Sequence, residues 1–295
     1  MKHWYIAGSG AIGSLAAANL VKNNCKVTPI VRHTSQTKGR SFQTIDGQLV
    51  SLPAGIELTD CKQIEHLFVP LKAYNIIPFL TSVSDKIVNH ANIVLCHNGM
   101  GTIEQALKVL PKSANLYFCT TSNGAFKQNN KVVHAGQGDS YWKKVNKGSE
   151  PSLTAKDFNL LFNPIVESND LDSILWQKLL VNCAINPLTA IHKVKNGELL
   201  ADKYQPIIEN IVAEVCTVAR SLQVALNQKD MLALVNKVIK TTANNTSSMR
   251  QDVENKTKTE IDYINGYISQ QAAKLNIQVP ENARLLNAIK QLENY

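Results

Sequence analysis

No apolar run in this 295-residue chain approaches the roughly 20 residues that a membrane-spanning helix requires. No membrane partner is therefore expected. The six cysteines, Cys25, Cys61, Cys96, Cys119, Cys183 and Cys216, form no CxxC pair. Most sit in apolar stretches such as Val94-Leu95-Cys96 and Tyr117-Phe118-Cys119. That is the pattern of reduced, buried thiols and not of a disulfide framework or a zinc site. The seven histidines show no ligand spacing either, so no metal is expected. Nor is there a dense basic run, although the formal net charge is +8. Lysines and arginines are scattered without interleaved aromatics, which speaks against a nucleic-acid partner. A positive balance suits small anionic ligands instead. The first residues run straight into a strand and a glycine turn without the pattern of a signal peptide, and the expected location is cytoplasmic.

What is present reads as a soluble enzyme of two domains. Apolar residues make up 44% and charged residues 18%, ordinary values for a globular chain of this length. The first half alternates short apolar runs with amphipathic stretches. Strands are expected at Trp4–Ala7, Lys26–Val31, His66–Pro70, Ile93–Cys96 and Asn115–Thr120, with a helix over Gly13–Asn23 whose Leu15, Ala16, Leu20 and Val21 face the sheet. Such alternation predicts a doubly wound, largely parallel sheet, an α/β domain of Rossmann type. Pro70 removes a ladder donor, so its strand is expected to end there or lie at an edge. Val132–Trp142 is expected to add a hairpin or an edge pair.

Beyond about Pro164 the strand signals stop. Helical periodicity marks Leu171–Ala184, Gln205–Leu222, Lys229–Ala243 and Glu260–Leu275. A last helix starts near Pro280, a residue suited to a first helical turn, and runs to Leu292. The polar stretch Asn244–Lys258 reads as a loop or short helix. The expected division is residues 1–168 for a dinucleotide-binding domain and 169–295 for an all-helical substrate domain.

Gly8-Ser9-Gly10-Ala11-Ile12-Gly13 follows the first strand and opens the first helix. In this pattern the first glycine permits the tight turn, the second lets a pyrophosphate approach the backbone, and the third lets helix and strand pack closely. A bare GxGxxG is a weak signal, but here it lies within a strand–turn–helix context. The end of the second strand selects the cofactor. An NAD site usually carries an acid there for the ribose hydroxyls, and Val31-Arg32-His33-Thr34-Ser35 has none. Arg32 can pair with a 2′-phosphate, so the expected cofactor is NADPH/NADP+.

A second signal lies in Leu175–Pro187. Lys178, Asn182 and Asn186 recur every four residues, which places them along one side of a helix. The surrounding segment is more apolar than one amphipathic stripe needs, and polar groups in such a setting require partners or a ligand. Lysine can stabilise a developing alkoxide and donate its proton, while asparagine amides hold a substrate without competing charge. The chemistry suggested is reduction of a keto group. Which 2-keto acid such a reductase takes stays open at this point, and the alternative of another class is a non-catalytic regulator that senses NADPH.

His97-Asn98-Gly99-Met100-Gly101-Thr102, Lys178 through Thr189, Ser247-Ser248-Met249-Arg250-Gln251-Asp252, Thr259 through Gly266 and Val279-Pro280-Glu281-Asn282 together resemble the ketopantoate reductase family, in order and over nearly the whole chain. The resemblance implies NADPH-dependent reduction of 2-dehydropantoate to pantoate, toward pantothenate and coenzyme A, in a cleft between the two domains. By that similarity Lys178 is the proton donor. Asn98 adjoins nicotinamide and substrate, and Asn182, Asn186, Asn196 and Ser248 bind substrate. Lys72, Ala125 and Glu260 face the cofactor, and Glu260 can also orient Lys178. Retention of Lys178 with Glu260 argues against the sensing alternative, since sensing needs no proton donor. A monomer or homodimer acting on a small molecule is expected.

Overall fold

The computed structural model describes residues 2–294. They divide into two units. One comprises the chain up to His97 with Thr102–Leu171; the other comprises Asn98–Gly101 with the chain from Asp172 onward. In chain order the elements of the first unit are β1 (His3–Ala7), α1 (Ala11–Lys22), β2 (Lys26–Ile30), β3 (Ser41–Gln43), β4 (Leu49–Ser51), β5 (Ile64–Val69), α2 (Ala73–Ser82), β6 (Ile87–Cys96), α3 (Ile103–Val109), β7 (Asn115–Thr121), β8 (Gly124–Gln128), β9 (Lys131–Gly136), β10 (Ser140–Lys144), α4 (Ala155–Leu161) and β11 (Val166–Glu167).

A seven-stranded sheet runs β11-β10-β7-β6-β5-β1-β2, with every neighbouring pair parallel except β10 against β7. Pro70 does not mark an edge. β5 lies between β6 and β1 and ends at Val69, so the proline falls just past the ladder. Pro29 does sit within an edge strand, where its carbonyl accepts the Ile56 N–H at 2.9 Å. Trp142, stacked on Phe158 at 3.9 Å between ring centroids, helps seal the end of the sheet where α4 packs.

A second, four-stranded sheet, β4-β3-β9-β8, was not foreseen. The stretch expected to form one hairpin or edge pair is split, β9 joining this small sheet and β10 the large one. α1 touches β1 and β2 and also all four strands of the small sheet. Its residues Ser14, Leu15, Ala16, Ala17 and Ala18 are consequently all buried. A helical turn covered on every side must be small or apolar on every side, and Ala16-Ala17-Ala18 meets that requirement.

The second unit contains α5 (Leu171–His192, beginning one residue before the unit boundary), α6 (Gln205–Ser221), α7 (Gln228–Thr241), α8 (Ser248–Glu254), α9 (Asn265–Lys274) and α10 (Pro280–Leu292). The single helix expected over Glu260–Leu275 is broken. A 3-10 turn at Ile261–Tyr263 precedes α9, and Ile264 between them has φ −108° and ψ −96°. The Tyr263 carbonyl turns outward to accept the Met100 N–H at 2.9 Å, which removes it from any continuous helical ladder.

α5 runs past the Ala184 expected as its end and through Pro187. An internal proline has no N–H for the carbonyl four residues earlier, here that of Cys183. Asn265 supplies the missing donor, its Nδ2 reaching the Cys183 carbonyl at 3.3 Å and Asn282 Oδ1 at 3.0 Å. Asn282 in turn gives its N–H and Nδ2 to Glu214 Oε2, whose other oxygen accepts the Glu281 N–H. One carboxylate on α6 thereby caps α10 and anchors the asparagine pair under α5. Asn265→Ala should lower unfolding stability by about 1–2 kcal/mol, because it strands two buried acceptors while removing Asn265 Oδ1, which is buried without a partner among the described residues. Urea denaturation reads this directly, and a loss below about 0.5 kcal/mol, the range of changes that touch nothing important, would contradict the assignment.

Candidate active site

Three glycines shape the first turn in different ways. Gly8 has φ +78° and donates its N–H to the Ile30 carbonyl at 2.7 Å, tying the turn to the end of β2. A Cβ on Gly13 would lie 3.0 Å from Pro70 Cγ and 3.3 Å from Ile6 Cγ2, so this glycine allows α1 to meet the sheet. At Gly10 the nearest atom to such a Cβ is 3.9 Å away. The protein leaves that side open, as approach of a phosphate demands. Gly10 is the N-cap of α1, and Ala11 and Ile12 are its first, half-buried residues. Their amides belong to the end of the helix that favours anions.

A cavity of about 930 Å³ adjoins this turn. Of the residues singled out in the sequence, Gly8, Ser9, Gly10 and Arg32 line it together. Arg32 is exposed at the end of β2. Lys72, half-buried as the N-cap of α2, and Ala125, paired with His134 on β8, belong to the same unit but lie outside that lining. Two lining cations were missed in the sequence: Arg40, just before β3, and Lys127, on β8. Both arrive through the small sheet, so no local signal could have flagged them. The turn, the helix end and these cations suit a phosphorylated dinucleotide.

In the second unit, α5 carries Lys178 and Asn182 half-buried and Asn186 only 8% exposed. Asn196 is 7% exposed and opens a 3-10 turn, where its Nδ2 donates to Thr242 Oγ1 at 2.9 Å. The Thr242 hydroxyl proton is already committed to the Val238 carbonyl at 2.7 Å, which fixes the amide orientation. Asn196 Oδ1 is left buried with no partner among the described residues. An acceptor in that condition is costly unless a ligand supplies a donor; Asn236 Oδ1 and Asn265 Oδ1 in the same unit share it.

Asn98 and Glu260 come together, with Asn98 Nδ2 donating to Glu260 Oε2 at 3.4 Å. Glu260 is 4% exposed, a burial that an ordinary helix-start carboxylate would not need. Gly99, at φ +78°, brings the Asn98 loop so close that a Cβ would overlap the Tyr263 carbonyl. Ser248 is exposed on the first turn of α8. Its neighbour Ser247 is the cap, accepting from the Arg250 N–H at 3.1 Å and hydrogen-bonded to Thr189 Oγ1 at 2.7 Å. Ser247 and Thr189 lie in the motifs quoted above but had been given no role; two adjacent serines gave no means of telling cap from surface. Among the described residues, no group of three or more His, Cys, Asp or Glu is placed to hold a metal ion, and no helix is long and apolar enough to cross a membrane.

Residues 4–147 match the family described as ketopantoate reductase PanE/ApbA, and residues 170–293 match its C-terminal counterpart. The 2-dehydropantoate 2-reductase of Vibrio cholerae is 33% identical, covering 98% of this chain and 97% of its own. That of Yersinia pestis is 32% identical, covering 98% and 94%. A ternary structure of D-mandelate dehydrogenase with NADH and anilino(oxo)acetate superposes with a TM-score of 0.91 at 23% identity, covering 99% of both chains, which shows a shared fold. On this agreement of both halves and of full-length relatives, the chain belongs to the ketopantoate reductase family.

Proposed function

We propose that this protein reduces 2-dehydropantoate to pantoate with NADPH, a step toward pantothenate and coenzyme A, and that Lys178 is its proton donor. The observation that carries the proposal is the line Lys178–Asn182–Asn186 on α5, joined in the same unit by the unsatisfied acceptor of Asn196. When bound, the cofactor supplies the hydride that reduces the keto carbon. The protein must manage the charge left on oxygen. The Lys178 ammonium donates a hydrogen bond to the keto oxygen, stabilises the negative charge as the carbon–oxygen double bond opens, and transfers its proton to complete the alcohol. Solvent then returns a proton to the lysine.

The substrate's other groups match the remaining side chains. Asn182 and Asn186 offer amide donors to the carboxylate, Ser248 offers a hydroxyl, and Asn196 Oδ1 accepts the proton of the substrate hydroxyl. Asn98 orients the reacting end, and the buried Glu260 orients Asn98 through their hydrogen bond. Gly8 to Gly13 and Arg32 hold the phosphorylated end of the cofactor, with Lys72 and Ala125 nearer the nicotinamide. The protein works in the cytoplasm as a monomer or homodimer; light scattering distinguishes the two.

NADPH absorbance followed with a panel of 2-keto acids tests the substrate. 2-Dehydropantoate should be consumed with the highest kcat/KM, and a clear preference for another keto acid would overturn the assignment. Lys178→Ala should lose roughly 10²–10⁴-fold in turnover while still binding NADPH. Lys178→Arg should recover little, because guanidinium keeps its proton and differs in shape. Glu260→Ala should be damaged less than Lys178→Ala; the reverse order, or a Lys178→Ala enzyme within a few-fold of wild type, contradicts the mechanism. Asn182→Ala and Ser248→Ala should raise KM for the keto acid with little change in NADPH affinity. Arg32→Ala should cost about 1.5–3 kcal/mol in NADPH binding and far less for NADH, and equal losses would remove Arg32 from the 2′-phosphate.

A further inference from the structure

The small sheet carries two cations into the cavity beside the glycine turn. Arg40 is 8% exposed, and its guanidinium donates to the Ser9 carbonyl at 3.1 Å and to Ser14 Oγ at 3.2 Å. Among the described residues no carboxylate forms an ion pair with it. A buried, unpaired cation is expensive, and burial holds the Arg40 pKa below the ordinary arginine value. Lys127 lies on the same lining. Lys127 is exposed overall, while partial desolvation of its ammonium, followed by the charge of Arg40, lowers its pKa from the ordinary lysine value. With Arg32 this makes three cations facing one cavity, against the single acid Glu57.

Such a concentration of like charge is stabilised by an anion. The diphosphate of a dinucleotide is already met by the amides at the start of α1. A phosphate monoester carries about −1.5 to −2 charge at neutral pH, more than one exposed, solvent-screened arginine can balance. Arg32 marks the end of β2, where this architecture places the adenosine ribose. Lys127 shares that cavity from the opposite sheet.

We propose that Lys127, delivered by the small sheet, is a specificity-determining residue that supplies the second cation for the phosphate on the adenosine ribose, and that Arg40 is the positioning residue holding the glycine turn against that sheet. This rests on the NADPH reading. The small sheet is then part of cofactor selection and not only a cover for α1. Arg40 acts through the turn: its two hydrogen bonds fix Ser9 and Ser14 on either side of the Gly10 cap.

The test uses the whole chain and two probes that differ only in the ribose phosphate, adenosine 2′,5′-bisphosphate and adenosine 5′-phosphate, titrated by calorimetry. Lys127→Met should weaken the bisphosphate about tenfold, as loss of one charge-assisted contact implies, and change the monophosphate less than about twofold. Lys127→Arg should restore most of the difference. Arg40→Met should weaken both probes by the same factor, since the glycine turn serves the 5′-phosphate common to both. If wild type does not distinguish the two probes, the NADPH reading fails and this proposal with it. If wild type distinguishes them and Lys127→Met does so equally well, the role of Lys127 alone is overturned. An Arg40→Met loss confined to the bisphosphate would overturn the positioning role and place Arg40 on the ribose phosphate itself.

Discussion

The hydrogen bond from Asn265 to the Cys183 carbonyl is the interaction on which the substrate half of the protein depends. Pro187 takes one donor out of α5, and without a replacement the helix would kink or stop before Asn186 had been held in line. With it, the helix continues to Thr189, which reaches Ser247 Oγ at 2.7 Å. That contact sets the start of α8, and Ser248 follows by one residue. Lys178, Asn182 and Asn186 stand on α5, and Ser248 is reached from it through a chain of hydrogen bonds that begins at Glu214. None of its links needs to touch substrate, yet each fixes where the contacting side chains stand.

Polar side chains at least half-buried in this molecule fall into two groups. Glu214, Asn282 and Ser247 find protein partners and serve the fold. Asn196 Oδ1 finds no partner among the described residues, nor do Trp4 Nε1, Asn115 Oδ1, Trp142 Nε1, Asn236 Oδ1 and Asn265 Oδ1, while Arg40 has hydrogen bonds but no counter-charge. A stable fold tolerates few such groups. Of these, Asn196 lies in the unit that bears Lys178 and Arg40 lies beside the glycine turn, so it is their place, and not the lack of a partner alone, that sets them apart.

Local patterns made much of this legible in the sequence. The strand–glycine–helix start needs only adjacent residues, and the lysine–asparagine line needs only helical period. Relationships between distant segments were not legible. The end of α5 was misplaced because its continuation through Pro187 depends on Asn265, far along the chain. The break at Ile264 reflects a carbonyl turned toward Met100. The small sheet is built from strands as short as three residues, too brief for alternation to register. Its one sequence trace was indirect: residues 13–18 of α1 form an unbroken run of small or apolar side chains, which a helix on a single sheet does not require. Arg40 and Lys127 were hidden for the same reason, since only that sheet brings them to the cavity.

The central claim is a chemical conversion, and product analysis tests it most directly. The protein is incubated with NADPH and 2-dehydropantoate, and the mixture is followed by proton NMR alongside the loss of NADPH absorbance. The account predicts one pantoate formed for each NADPH consumed. Bound NADPH without pantoate, or NADPH oxidised with no matching product, would contradict it.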